Sequence, residues 1–542
     1  MPHLLKTIES RNTYVAIIIL VGIMVMATII RFMPMDFTSD SAFYLLLARE
    51  QIGSGQMFPP GMCYSTALFV ITPNLVIIPF LFFLSDWILA RSLGLCVVWA
   101  LLLFAVVKTF VAKGDANWRT AAIACALVGM PLFGSDAVRQ LFLEGGYLSY
   151  CVSIVVCLAI AHYIITNYQR LESSLHGVGN KRSVVLLLIG VFLAVVLPSL
   201  GEMRGILQSA LPFFLAFPLL WACEKKSLDG MASGRLGKVL LVVWVAGILC
   251  ANVGRNMLYE AFWPVDNQME FNLDSSATLA DNVLLYIEGL YALYGQQYST
   301  ELMSTASAIK MIYYLYGTVC IFVFPIWSLV RLRSIRGRLS RYVVIFAWVS
   351  NVLLFAITVT TGALSMSARY LIPTYFTNCF LAAVCINEMM LRRTRFERGL
   401  IAFVVASLVV VSTWFYWKAS TPSLKSDTSH QDIVAFLKEN DLEYGYATFW
   451  NSYANTCFAN GDVEIVAFSD RLNGAIGDPT QRFLWLTNER YFDVSYHPGR
   501  CFILLEEGER VEDKWYELAS KQLTHNGYTV LVFDKNINLY ET

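Results

Sequence analysis

The sequence predicts an α-helical polytopic membrane protein of about eleven spans carrying a C-terminal α/β domain. Three observations predict it. The 542 residues are 57% hydrophobic and only 15% charged, where a soluble domain carries roughly 25% charged residues. Mean hydropathy is +0.56. Long apolar stretches alternate with short loops to about residue 417, and the pattern then changes to short mixed patches.

Spans are expected near 12–30, 92–112, 118–134, 147–166, 183–200, 205–222, 238–253, 309–330, 342–360, 370–391 and 399–417. The first is long enough to cross and no small-residue cleavage site follows it, so it reads as an anchored helix rather than a signal peptide. Charge sets the orientation. With Lys6 and Arg11 in the cytoplasm, the loops holding Lys108/Lys113/Arg119, Arg170/Lys181/Arg182, Lys225/Lys226/Arg235/Lys238, Arg331 to Arg341 and Arg392 to Arg398 all fall on the same side. That is the arrangement expected from the enrichment of Lys and Arg in cytoplasmic loops. Residues 65–84 are apolar enough to cross, but a crossing there would reverse every later loop, and the stretch contains Pro73 and Pro79. It is read as an in-plane or re-entrant segment, with an ordinary span as the alternative.

Three large regions then face the extracytoplasmic side. They are a first loop at about 31–91, a second at about 254–308, and the tail from about 418. The second sets Glu260, Asp266, Glu270, Asp274, Asp281, Glu288 and Glu301 against Arg255. None contains an Asn-x-Ser/Thr acceptor, which fits a bacterial inner membrane. The expected division is a membrane domain over 1–417 and an extracytoplasmic (periplasmic) α/β domain over 418–542, with Pro422 and Ser423 in the linker. In the tail, strands are expected at Tyr444–Trp450, Val463–Ser469, Cys501–Glu506 and Thr529–Asp534, and helices at Gln431–Glu439 and Lys514–Leu523.

Composition also excludes functions. The formal net charge is zero, so no basic surface points to nucleic acid. No Gly-rich phosphate loop appears, which argues against a nucleotide-sugar donor or an ATP-driven pump. The twelve cysteines form no CxxC pair, and most lie in spans as small core residues. Cys457 and Cys501 are candidates for a disulfide in an oxidising compartment, with their pairing left open. No histidine has ligand spacing, so no metal site and no cofactor are read, while a need for a divalent metal stays open.

The chemistry-bearing residues cluster where the first span ends, in Arg31-Phe-Met-Pro-Met-Asp36-Phe-Thr-Ser-Asp40-Ser-Ala-Phe-Tyr44. Ser39 or Asp40 could serve only to cap the following helix, and Asp36 could be a solvated linker residue. The functional reading makes a carboxylate at the lipid–water boundary the base that takes a proton from an acceptor hydroxyl. A helix N-terminus can cap and orient at once. A phosphate leaving group would need cations at the outer ends of spans, and Arg139, Arg204, Arg255 and Arg369 are placed there. The structural alternative is local pairing of Asp136 with Arg139 and of Glu202 with Arg204. In the tail, Tyr446-Ala-Thr-Phe-Trp450-Asn451-Ser-Tyr453-Ala-Asn455 reads either as a carbohydrate contact or as a strand of core aromatics ending in a turn.

Asp40-Ser-Ala-Phe-Tyr44 followed by Ala48-Arg49 resembles the first external loop of the GT-C glycosyltransferases, which include protein O-mannosyltransferases and lipid A aminoarabinose transferases. The likeness continues through Pro59-Pro60 and Ala90-Arg91-Ser92-Leu93-Gly94. It recurs at Ser367-Ala368-Arg369-Tyr370-Leu371-Ile372-Pro373. One departure stands out: the family's Asp-Glu pair is Asp40-Ser41 here. The resemblance implies transfer of a sugar from a polyprenyl-phosphate donor to an extracytoplasmic acceptor, a cell-surface glycan or glycolipid such as O-antigen. It implies Asp40 as base with Asp36 assisting. Arg369 and Tyr370, with Arg204, Arg139 or Arg255, would hold the donor phosphate, and Tyr44, Glu202 and Glu144 would contact substrate. A polymerase or ligase of lipid-linked oligosaccharides is the alternative. A transporter or flippase would show mid-span charges and paired repeats, and neither is visible.

Overall fold

A computed structural model describes residues 11–64, 68, 70, 72–112, 115–130, 139–177, 180–201, 203–224, 234–262, 278–295, 305–361, 368–392, 394–469, 479–480, 483–493 and 495–540, apart from 421–428. Ten helices among them are long and apolar enough to cross a membrane. In chain order the helices of the first part are α1 (Arg11–Phe32), α2 (Ser39–Ser54), α3 (Asn74–Leu81), α4 (Trp87–Phe110) and α5 (Trp118–Gly129). They continue as α6 (Leu148–Leu175), α7 (Lys181–Leu200), α8 (Ile206–Cys223), α9 (Arg235–Phe262), α10 (Leu279–Leu293), α11 (Met311–Ser334), α12 (Arg338–Thr361), α13 (Ala368–Arg392) and α14 (Arg395–Ser420). Ten of the eleven expected spans coincide with these ten long helices. At the eleventh stands the shorter apolar α5.

Residues 65–84 do not form a long helix. Their described part is α3, eight residues with Pro79 inside, or about 12 Å at 1.5 Å per residue. That falls far short of a hydrocarbon core of about 30 Å. The helix lies between α2 and α4: Asn74 Nδ2 donates to Gln51 Oε1 at 2.8 Å, and Ile77 fills the space where a side chain on Gly94 would stand. At the centre of the bundle, α13 is buried along its whole apolar window. This explains how it carries polar residues. Asn351 Nδ2 of α12 donates to Asn378 Oδ1 at 2.7 Å, and the Thr377 hydroxyl donates to Asn351 Oδ1 at 3.2 Å. Such bonds hold membrane helices together where burial alone gives no preference for helix over lipid.

The tail carries α15 (Ser429–Glu439), β2 (Tyr444–Thr448), α16 (Phe449–Phe458), β3 (Glu464–Ser469), β4 (Thr487–Asn488), β5 (Cys501–Glu506), α17 (Asp513–Leu518), β6 (Lys521–His525) and β7 (Tyr528–Phe533); β1 is Met62–Cys63 in the first loop. The sheet runs β3-β2-β5-β7-β6, with β2 parallel to both neighbours and the β5–β7 and β7–β6 pairs antiparallel. Every residue of β2 is buried, as a central strand covered on both faces requires.

Four expectations need correction. The strand expected to reach Trp450 stops at Thr448, and α16 begins at once, because a parallel neighbour needs a crossover and a helix supplies it. The helix expected over Lys514–Leu523 ends at Leu518, and Lys521–His525 becomes an edge strand. Asn526 and Gly527, with φ of 43° and 86°, form the two-residue turn that folds it back on β7. Cys457 and Cys501 are both free; their thiols point to Ala42 O at 3.9 Å and Lys535 O at 3.6 Å. Finally, the cap of α2 is Thr38, whose hydroxyl accepts from Ser41 N, and Ser39 and Asp40 stand in the first turn.

The first loop and the tail are docked through defined contacts. The Ser39 hydroxyl donates to Phe449 O at the head of α16. Strand β1 pairs with β4, Met62 opposite Asn488 and Cys63 opposite Thr487. Arg490 grips Glu50 of α2 with both terminal nitrogens, at 2.9 and 2.5 Å. Burial raises the Glu50 carboxyl above its usual value despite this partner. Arg490→Met should therefore lower stability by about 1–3 kcal/mol, the cost of leaving a charged group without its bonds. Adding Glu50→Gln should restore part of the loss; thermal melts of the single and double variants in detergent check this.

Candidate active site at the junction of the first loop, the bundle and the tail

A cavity of about 650 Å³ opens where these three parts meet. Its polar end brings together Asp40 and Tyr44 of α2, Glu144, Arg204, and Arg369 and Tyr370 at the start of α13. Its apolar end runs between membrane helices, past Val98 and Leu101 of α4, Val152 and Val156 of α6, and Leu193 and Leu197 of α7. Leu101 is 58% and Leu193 42% exposed, so this end opens through the flank of the bundle rather than into its core.

Each polar group is placed by local structure. Thr38 ends the irregular segment after α1 and starts α2, which sets Asp40 in the first turn, where the helix field favours a carboxylate. Arg369 lies in the short 3₁₀ turn Ala368–Leu371 that opens α13. Its Nη1 lies 3.3 Å from Asp40 Oδ2, longer than the 2.7–2.9 Å of a tight charge-assisted bond. Arg204 and Arg369 face the same ring, their guanidinium carbons 5.0 and 5.9 Å from the Tyr370 centroid. Both cations thus lie within cation–π reach of the Tyr370 ring.

Glu144 ends the π-helical turn Arg139–Glu144. A π turn releases carbonyls from the regular α pattern, and α4 takes them up. Trp99 Nε1 donates to Leu141 O at 3.1 Å, while Arg91 Nη2 donates to Leu143 O at 2.8 Å and Glu144 O at 2.7 Å. Arg91 is fully buried and stands 5.6 and 5.7 Å from the rings of Phe37 and Tyr44. The sequence alone assigns it no role, although the Ala90-Arg91 motif marks the position: an arginine one turn inside a span must have a reason to be there. Gly145 N closes the turn on Gln140 O at 3.1 Å, and a side chain on the following Gly146 would strike the Tyr44 hydroxyl, which stands 2.6 Å from the place a Cβ would take.

Not every candidate arrives here. Arg139 does not line the cavity; its Nε binds Glu144 Oε1 at 2.8 Å. Arg255 bonds Asn252 Oδ1 at 2.5 Å and leans on Tyr259, away from the cavity. Asp36 is half-buried outside it, its N–H donating to Phe32 O. Asp136 and Glu202 lie outside the described residues. The Tyr446–Asn455 stretch is structural: Tyr446 bonds Asn536 Oδ1 at 3.1 Å, and Asn451 donates to Glu506 Oε2 at 3.2 Å. The tail instead sends Trp485 and Leu486 into the cavity, from a segment with no periodicity to flag it. Among the described residues no three His, Cys, Asp or Glu side chains gather as a metal-binding group.

Burial raises the Glu144 carboxyl above its usual value near 4.5, and Asp40 adds to the rise, against the opposing pull of Arg139. The folded protein therefore takes up this proton at a higher pH than the unfolded chain. Stability gains as pH falls through the raised value, and the gain is complete below about 4.5. Relative to Glu144→Gln, which carries no titrating group there, the wild type should gain thermal stability over that window as the pH is lowered. Parallel pH profiles of the two melting temperatures that coincide throughout would contradict this.

No family model matches the sequence, and no curated relative does either. Solved structures do match. The chain is similar to ArnT from Cupriavidus metallidurans bound to undecaprenyl phosphate, with a TM-score of 0.53 and 13% identity over 96% of this chain and 98% of that one. The apo state of the same protein gives a TM-score of 0.51 at 13% identity, with the same coverage. The oligosaccharyltransferase of Archaeoglobus fulgidus matches with a TM-score of 0.46 and 12% identity over 92% of this chain and 70% of that one. From its first span to its tail, the chain has the fold of ArnT.

Proposed function

We propose that the protein is an integral membrane glycosyltransferase that moves a sugar from a polyprenyl-phosphate donor to an acceptor hydroxyl on the extracytoplasmic face, with a cell-surface glycan or glycolipid such as O-antigen as acceptor. One observation carries the reading: a single cavity joins an apolar trench, open at the flank of the bundle, to a cluster holding Asp40, Arg204 and Arg369. A polyprenyl phosphate is apolar along its chain and anionic at its head, and the cavity has the same division. The ArnT structure bound to undecaprenyl phosphate has the same fold, which supports the class of donor. The basic loops support placing the cavity on the outer side.

Roles follow from geometry. Arg369 and Arg204 are the cations for the phosphate, because both line the cavity and both contact the Tyr370 ring. Arg139 is committed to Glu144, and Arg255 lies away from the cavity. Asp40 takes the proton of the acceptor hydroxyl as its oxygen bonds to the anomeric carbon. The bond from that carbon to the phosphate oxygen breaks, its electron pair goes to the phosphate, and the arginines balance the charge that develops. Glu144, with its raised carboxyl, is the second acid of the site in place of Asp36.

In the native host, a deletion strain should lose one surface-glycan modification, seen by mass spectrometry of the glycan. Asp40→Asn should reach the membrane at wild-type level and fail to restore it; near wild-type restoration would refute Asp40 as base. Arg369→Met should weaken undecaprenyl phosphate binding by about 10- to 100-fold, matching the roughly 1.5–3 kcal/mol of a hydrogen bond to a charged group. Equilibrium binding to the purified protein checks this.

A further inference from the structure

Trp485 and Leu486 are the lining residues that the tail contributes to a cavity otherwise built by the membrane part and its loops. Their placement is constrained. Leu486 has a φ of 54°, while the other described non-glycine residues with positive φ are Asp441, Asn460 and Asn526. Asp and Asn visit that region readily and Leu does not. Backbone strain at a leucine persists only where its surroundings over-determine it. They do here. Leu486 is buried, and the next two residues pair with β1 of the first loop. Asn488 donates to Pro60 O at 3.2 Å and its side-chain oxygen caps Arg490 N at 3.0 Å. On the other side, Phe483 packs near Phe449, ring centroids 6.2 Å apart. The bend at Leu486 thus turns Trp485, half-buried, onto the cavity.

The position of this indole in the cavity has a chemical meaning. The trench residues lie within the spans, the charged residues at span ends and in loops, and Trp485 in the tail. A donor laid along that order has its isoprenoid in the trench and its phosphate at the arginines, so its sugar lies toward the tail. A flat apolar face with a polar N–H edge suits a pyranose, which presents C–H groups on its face and hydroxyls at its rim. We propose that Trp485, held by the strained Leu486, is the saccharide platform of the cavity: it stacks on the transferred sugar and sets specificity for it, without touching the lipid phosphate. This rests on the donor class proposed above.

Two readouts on the full-length protein test it: restoration of the surface-glycan modification in the deletion strain, and binding of undecaprenyl phosphate, which carries no sugar, to purified protein. Trp485→Ala should cut restoration at least tenfold while its undecaprenyl phosphate affinity stays within twofold of wild type, and Trp485→Tyr, which keeps a ring, should restore most of the modification. Full restoration by Trp485→Ala would overturn the proposal. So would an equal loss of undecaprenyl phosphate binding, which would mark the residue as structural. Failure of the wild-type protein to bind undecaprenyl phosphate would instead remove the donor class, and the platform with it, and is separable because it involves no variant.

Discussion

The contact between Asp40 and Arg369 is the constraint on which the site depends. The two residues are 329 positions apart, one in the first turn after the first span and one at the head of the most deeply buried helix. Joining them requires that the first loop fold back over the bundle and that α13 pass through its centre. Their charges lie at the ends of membrane helices, where an unpaired ion would be costly. Their separation of 3.3 Å is longer than a tight charge-assisted bond, and each charge offsets the other.

Much of the remaining architecture serves to hold that pair in register. Arg91, buried without solvent, takes up the carbonyls that the π turn releases and so places Glu144 beside Asp40. The tail grips α2 from the other side, through Ser39 and through the bidentate Arg490–Glu50 pair, and holds the loop that follows through the β1–β4 pairing. A helix fixed at both its first and fourth turns cannot rotate Asp40 away from the cavity. The tail therefore acts on the site mechanically, as well as by sending residues into it.

Legibility in the sequence followed the strength of the underlying signal. Span positions were readable because transfer of some twenty apolar residues to lipid dominates every local effect, and the absence of a long helix at α3 because two prolines and the charge count agreed. Asp40 and Arg369, which their motifs single out, meet in one cavity at 3.3 Å. The cap was misassigned between Thr38, Ser39 and Asp40 because three adjacent residues of capping type differ only in backbone dihedrals. Arg139 and Arg255 resembled Arg204 in position, but partners close in sequence, Glu144 and Asn252, captured them. The aromatic stretch at 446–455 signalled a core strand or a sugar contact equally. It became strand and helix because β3 needed a crossover. Trp485 gave no signal, since its placement comes from a bend at Leu486 and a strand pairing across more than four hundred residues.

The most direct measurement is an experimental structure of the full-length protein with undecaprenyl phosphate bound. The phosphate is expected within hydrogen-bonding distance of Arg369 and Arg204, with the Asp40 contact opened, and the isoprenoid along Leu101, Val152 and Leu193. A phosphate bound away from Arg369, with the Asp40–Arg369 pair intact, would contradict this expectation.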